Sequence, residues 1–277
     1  MEKNGTIKVL IPTDFSIEAE YAFMMVNNLS KKANMEVTFL HILNVPDTVT
    51  LGLDNAISTC GEIDVNFVEV QRKMALEKLG ELKEKNTGVK TDLIFGHTTT
   101  GIIKYAEDNN FDLIALGTKG TSGLAERFIG SNAQLIARKS EIPVLTLMCD
   151  RSGLELQDIL LVHNFEENDP QNLSLMKRII EIFGTKLHLL QIATKHDNED
   201  RIKENMLIFA QKNDLTNYET HVIRDHNVEV GINHFMESHD MDVICIGTHG
   251  KGGIFHKSAT ETLINHLYKP IISYKIK

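Results

Sequence analysis

The sequence predicts an α/β protein made of two tandem, doubly wound, mainly parallel five-stranded sandwich domains. Three observations lead there. Short apolar, β-branched runs alternate with helical stripes; one series of landmarks is written twice; and a glycine-rich stretch follows the fourth strand of the first series. At about 100–200 residues per domain, 277 residues accommodate two such units.

In the first copy, Ile7–Ile11, Glu36–Leu43, Thr91–Phe95, Leu113–Leu116 and Val144–Met148 are short and β-branched enough to be buried strands. Between the first two, Ala22, Met25, Val26 and Leu29 fall at i, i+3, i+4, i+7, the stripe of a helix with one face on a sheet. Val68, Ala75, Leu79 and Leu82 mark a second helix, Ile102, Ile103 and Ala106 a third, and Leu135 and Ile136 a fourth. Alternation of this kind implies right-handed crossovers and a parallel sheet covered on both faces. Ligands of such sheets bind beyond the carboxyl ends of the strands, where the strand order reverses.

The repeat sets the domain organisation. Val9-Leu-Ile-Pro-Thr-Asp14-Phe corresponds to Leu160-Leu-Val-His-Asn164-Phe, and Leu40-His-Ile-Leu to Leu187-His-Leu-Leu. Asp112-Leu-Ile-Ala-Leu-Gly-Thr-Lys-Gly120 corresponds to Asp242-Val-Ile-Cys-Ile-Gly-Thr-His-Gly250, and Ile142-Pro-Val-Leu to Lys269-Pro-Ile-Ile. The offset is 150 from Asp14 to Asn164, 147 from His41 to His188, 130 at Gly101/Gly231 and Gly117/Gly247, and 127 at Ser131/Ser258. These offsets place losses of 3 residues in the first helical region of the second copy, 17 between His188 and Gly231, and 3 after Gly250. The expected domains are residues 1–150 and 151–277, joined at the polar Asp150-Arg-Ser-Gly153.

Composition excludes several classes. A net charge of −9, shared evenly by the halves, argues against broad binding to nucleic acid or anionic membrane, which needs clustered positive charge. No apolar stretch approaches 18 residues, and Met1-Glu2-Lys3-Asn4-Gly5 lacks the basic-then-apolar profile of a secretory signal. Cys60, Cys149 and Cys245 are odd in number and far apart, unlike a disulfide framework. A cytoplasmic protein is expected. Ten of the twelve histidines follow residue 150, but none shows a zinc-binding spacing, so they are read as surface or loop residues and no metal ligand is assigned. His41 and His188 are read as matched packing positions, Cys245 as an apolar filler, and Pro46–Val65, unique to the first copy, as a flap.

The strand Leu113–Leu116 runs into Gly117-Thr-Lys-Gly120, and nine residues later Gly130-Ser131 precedes a helical stretch, Asn132 to Lys139. Glycines just past a strand let backbone N–H groups approach an anion, and a helix mouth adds unpaired donors and the positive end of its dipole. Neither the G-x-G-x-x-G nor the Walker pattern is present. A tight turn that binds nothing, with Asp14 merely capping the helix near Ser16, is the competing reading.

Pro12-Thr-Asp14-Phe-Ser, Leu40-His-Ile, G-x2-G-x9-G-[ST] at 117–131 and the Pro143-Val-Leu ending together resemble the universal stress protein family, over both halves of the chain. The resemblance to its ATP-binding branch implies that Asp14 takes the ribose hydroxyls, beside a wall of Pro12 and Thr13. Ile42 would offer backbone groups to the adenine edge. Gly117, Thr118, Lys119, Gly120, Thr121, Ser122 and Gly123, with Gly130, Ser131, Asn132 and Ala133, would wrap the phosphates of ATP, ADP or AMP, and Mg²⁺ would accompany them. Pairing of the last strands of the two copies, as an intramolecular pseudo-dimer, is implied as well, with a homodimer of chains as a further assembly. The second copy departs from the pattern: Asp14 becomes Asn164, Pro12 becomes Val162, and Gly130 becomes Lys257. It is expected to be structural or regulatory, with one nucleotide held by the first copy. No catalytic constellation is assigned, so the leading expectation is a nucleotide-binding stress-response protein with little turnover. A slow ATPase or nucleotidyl-transfer enzyme and a small-ligand or protein-interaction scaffold stand as the alternatives.

Overall fold

Ten strands form one sheet in the computed structural model, which describes residues 5–52, 56–60, 63–118, 131–165, 173–249 and 269–276. In the first half the elements are β1 (Ile7–Pro12), α1 (Ile17–Leu29), β2 (Met35–Leu43), β3 (Val49–Leu51), β4 (Ile57–Thr59), α2 (Val65–Lys85), β5 (Lys90–Phe95), α3 (Thr98–Asp108), β6 (Leu113–Gly117), α4 (Ser131–Lys139) and β7 (Val144–Leu147). The second half continues with β8 (Asp158–Val162), α5 (Ser174–Phe183), β9 (Lys186–Ala193), α6 (Glu199–Lys212), β10 (Tyr218–Arg224), α7 (Val228–Ser238), β11 (Val243–His249) and β12 (Ile271–Ile276). The strand order is β10-β9-β8-β11-β12-β7-β6-β1-β2-β5, parallel throughout except where β7 meets β12. Each half is therefore a five-stranded parallel unit of one topology, and the two meet edge to edge.

The helices sit where their apolar stripes demand. Ala22, Met25, Val26 and Leu29 of α1 and Val68, Ala75 and Leu79 of α2 are buried, while Leu82 is partly covered. These two helices, with α5 and α6, lie over one face of the sheet; α3, α4 and α7 lie over the other. Ser16, Asp64, Asn198 and Asn227 cap α1, α2, α6 and α7 through their side chains, satisfying N–H groups of the first turn. Cys245 is fully buried in β11, where desolvation pushes its thiol pKa well up. No helix among the described residues is long and apolar enough to cross a membrane.

The register corrects the expected alignment of the repeat. Thr13 N–H donates to the Leu40 carbonyl, and His163 N–H donates to that of Leu190, so β2 and β9 are offset by 150, like β1 and β8. Gly101 and Gly231 pack against Ile42 and Ile192, which again differ by 150. His41 therefore matches Gln191, and His188 matches Thr38. The three-residue slip came from a Leu-His-x-Leu string that recurs in two leucine-rich strands; an odd slip would also have reversed the faces. Nothing is lost between the first two strands. The shortening lies between β9 and β10, where the first half carries the β3–β4 hairpin instead of a bare flap.

Candidate functional site

The strand order reverses between β1 and β6, and at their carboxyl ends the sequence-predicted residues converge. Pro12 closes β1 as the last rung opposite Leu40. Thr13 is buried, its N–H bound to β2 and its Oγ1 accepting the Phe15 N–H at 2.9 Å. Phe15 has φ 65°, a left-handed conformation uncommon for a bulky residue. Phe165 repeats it at φ 52° in the second half, so the turn belongs to the repeat and not to one loop. That turn leaves Asp14 exposed, with Oδ1 accepting the Ser16 N–H at 3.0 Å. The cap of α1 is Ser16, not Asp14.

Alternation along β2 turns the backbone groups of Ile42 toward β1, one step beyond the last rung at Pro12 and Leu40. The Ile42 side chain is buried on the opposite helix layer, against Gly101. His41 donates from Nδ1 to the Thr13 carbonyl at 2.8 Å and lies 4.6 Å from the Phe15 ring, bracing the turn that carries Asp14.

Gly117 ends β6, and a Cβ there would lie 1.7 Å from the Glu18 carbonyl oxygen. The close approach of α1 to β6 requires glycine at this point, independently of any phosphate. Thr118 follows, buried, with its N–H bound to the Leu147 carbonyl. Its Oγ1 and Glu18 Oε2 are buried polar atoms without a partner among the described residues. Glu18 was absent from the sequence expectations, since one acid in a first helical turn carries no motif. Helix α4 begins at Ser131, and its parallel crossover places that N-terminus at the same end of the sheet. Asn132 is exposed and accepts from Thr99 Oγ1 at 3.5 Å, while Ala133 packs in the core. Lys119, Gly120, Thr121, Ser122, Gly123 and Gly130 lie outside the described residues, as do Gly250 and Lys257.

The corresponding turn of the second half differs in its packing. His163 replaces Thr13 and takes over its turn, Nδ1 accepting the Phe165 N–H at 2.8 Å. Phe165 and Phe209 are both buried with ring centroids 5.0 Å apart, and His163 lies 5.3 Å from Phe209. An aromatic cluster thus occupies the second half where Phe15 is only half-buried in the first.

Residues 6–147 match the sequence profile of the universal stress protein family. A universal stress protein of Methanocaldococcus jannaschii is 29% identical over 142 residues, covering 50% of this chain and 81% of that protein. A putative universal stress protein of Staphylococcus aureus is 32% identical over 155 residues, 54% of this chain and 88% of that protein. Both halves are spanned by the crystal structure of a universal stress protein from Archaeoglobus fulgidus. It covers 97% of this chain and 98% of its own at TM-score 0.74 and 19% identity, a likeness of fold. With its first half matching the profile and its α/β fold shared throughout, the chain belongs to the universal stress protein family.

Proposed function

We propose that the first half binds one adenine nucleotide, ATP in the first instance, and that the protein is a nucleotide-responsive regulatory module of the stress response. The observation that supports this most is the convergence of Asp14, the Ile42 backbone and the start of α4 at the reversal of strand order. An exposed carboxylate suits ribose hydroxyls, backbone amide groups suit an adenine edge, and a helix N-terminus suits phosphate. The donor set fits the charged end as well. Thr118 Oγ1 is a hydroxyl able to donate to a phosphate oxygen, and Glu18 Oε2 is an acceptor for the water shell of Mg²⁺. The metal would neutralise phosphate charge; the chain's own groups bind and orient. Domains 1–150 and 151–277 are assigned as binding and structural or regulatory units, because the second copy has Asn164 and Lys257 where the first has Asp14 and Gly130, and His163 in place of Thr13 at the turn. Turnover is expected to be slow, since no base beside the attacking position is identified among the described residues.

The test is a thermal melt with and without Mg-ATP. At a hundredfold excess over Kd, ligand binding adds about 2.7 kcal/mol, a shift of about 5 °C or more for a chain of this size. Asp14→Ala and Gly130→Lys should each remove the shift. Two equivalent sites by calorimetry would overturn the assignment to one half. Phosphate release near the enzyme median of about 10 per second, lost in Asp14→Ala, would overturn the slow-turnover reading.

A further inference from the structure

A second constellation lies at the other end of the strands, in the second half. His188 of β9 is buried; His221 and Glu219 of the neighbouring edge strand β10 are half-buried and exposed. His188 Nδ1 and His221 Nε2 are 3.0 Å apart, and Glu219 Oε2 is 3.9 Å from each. A triangle with these sides has a circumradius of about 2.1 Å, matching the bond length of about 2.0–2.2 Å that zinc makes with imidazole nitrogen and carboxylate oxygen. One point is therefore in bonding range of all three atoms without any of them moving.

We propose that His188, His221 and Glu219 bind a divalent metal ion of the zinc type, with a fourth position open toward solvent on the Glu219 side. Two nitrogens and one carboxylate oxygen form an open zinc ligand set. The surroundings are arranged for it. His188 Nε2 lies 2.8 Å from Asp158 Oδ1 and donates to it, which leaves the Nδ1 lone pair for the metal. Lys186 holds Glu219 Oε1 at 2.5 Å and leaves Oε2 facing the two rings. His188 Nδ1 and His221 Nε2 share a hydrogen bond at 3.0 Å; a metal ion takes its place, with the His221 proton carried on Nδ1 so that both nitrogens present lone pairs. The ring of His221 is braced by Phe235 and His239, at 4.9 and 5.5 Å.

The repeat shows that these residues are specific to this half. By the corrected register, His188, His221 and His239 stand where the first half has Thr38, Asp92 and Asn109, and Asp158 and Glu219 stand where it has Lys8 and Lys90. Three histidines gathered from β9, β10 and the end of α7 replace a threonine, an aspartate and an asparagine at one place. Sequence reading took His188 as a packing position and His221 and His239 as surface or loop residues, because they lie 33 and 18 residues apart, with no motif spacing.

The experiment is titration of the chelator-stripped full chain with Zn²⁺ against a chromophoric chelator, with Co²⁺ as an absorption probe of the ligand field. One ion per chain is expected at this site. Glu219→Gln and His221→Gln should weaken it at least tenfold, and Asp158→Asn, which only positions His188, by about 10–100-fold. His234→Ala, an exposed histidine paired with Asp225, should leave it unchanged. Should His221→Gln fail to fold, the exposed Glu219→Gln variant, its melt checked in chelator, carries the test. Absence of uptake, or unchanged affinity in Glu219→Gln, would overturn the proposal.

Discussion

At Gly117 a methyl group has nowhere to go, because the obstacle is backbone: the Glu18 carbonyl oxygen at 1.7 Å and its carbon at 2.1 Å. At Gly231 the obstacle is the side chain of Ile192 at 2.7 Å, and at Gly101 that of Ile42 at 3.1 Å. Alanine should therefore be costly in graded order. Gly101→Ala is expected to be near neutral, because helix propensity returns up to about 1 kcal/mol. Gly231→Ala should cost about 1–3 kcal/mol through overpacking, and Gly117→Ala more than either. Denaturant melts of nucleotide-free protein check the order; a Gly117→Ala variant of normal stability that loses only nucleotide binding would assign this glycine to the ligand instead. Asp197 offers a titration at the same scale. Its Oδ2 accepts the Thr194 N–H at 2.6 Å and the Thr194 hydroxyl at 2.9 Å, bonds that hold its carboxyl below the usual range. A depressed carboxylate pKa contributes stability above the unfolded value near 3.8, lost as pH falls through the folded value. Asp197→Asn should lower the melting temperature at pH 7 and make no difference in strong acid; an equal loss at both pH values would show that charge is not the cause.

The seam between β7 and β12 is the element on which the assembly turns. Three rungs join them, Ile271 with Thr146, Ile272 with Leu145 and Ser273 with Val144, and the Thr146 and Ser273 hydroxyls reach across to the Ile271 and Val144 carbonyls at 3.4 Å. Helix α5 adds a clasp: Arg178 donates to Asp112 at 2.8 Å and to the Gly5 carbonyl at 2.7 Å, both in the other half. Removing residues 151–277 would leave β7 as an open edge. The 1–150 fragment should form a homodimer through β7 or aggregate, as sedimentation would report; a stable monomer would show that the edge protects itself. The strands and helices of the first half were legible in the sequence because β-branched runs and i, i+3, i+4 stripes report burial directly, as Val9, Ile11, Ala22 and Val26 show. The β3–β4 hairpin was not, since strands of three residues, with only Val49 buried, leave no period to read.

On the scale of the whole molecule, the candidate crevice was legible where it depends on strand ends, as at Pro12–Asp14 and Gly117, because topology places them. It was illegible where chemistry comes from residues far apart in sequence, as with Glu18 against Gly117 or Asp158 against His188. The antiparallel seam also decides which ends face together. The amino ends of β8, β9 and β10 share a rim of the sheet with the carboxyl ends of β1, β2 and β6. The proposed metal and nucleotide thus sit on one rim, and the carboxyl ends of β8 and β11 on the other. A pair of identical chains joined at this seam would have no such freedom: every substitution would appear twice, at places related by the dyad. Covalent fusion abolishes that constraint. One copy can carry Asp14 while the other carries Asn164, and one can exchange Thr38, Asp92 and Asn109 for histidines at 188, 221 and 239 without imposing the change on its twin. A single joint between two sheets has turned a symmetric object into a polar one, with a front and a back that a partner can tell apart.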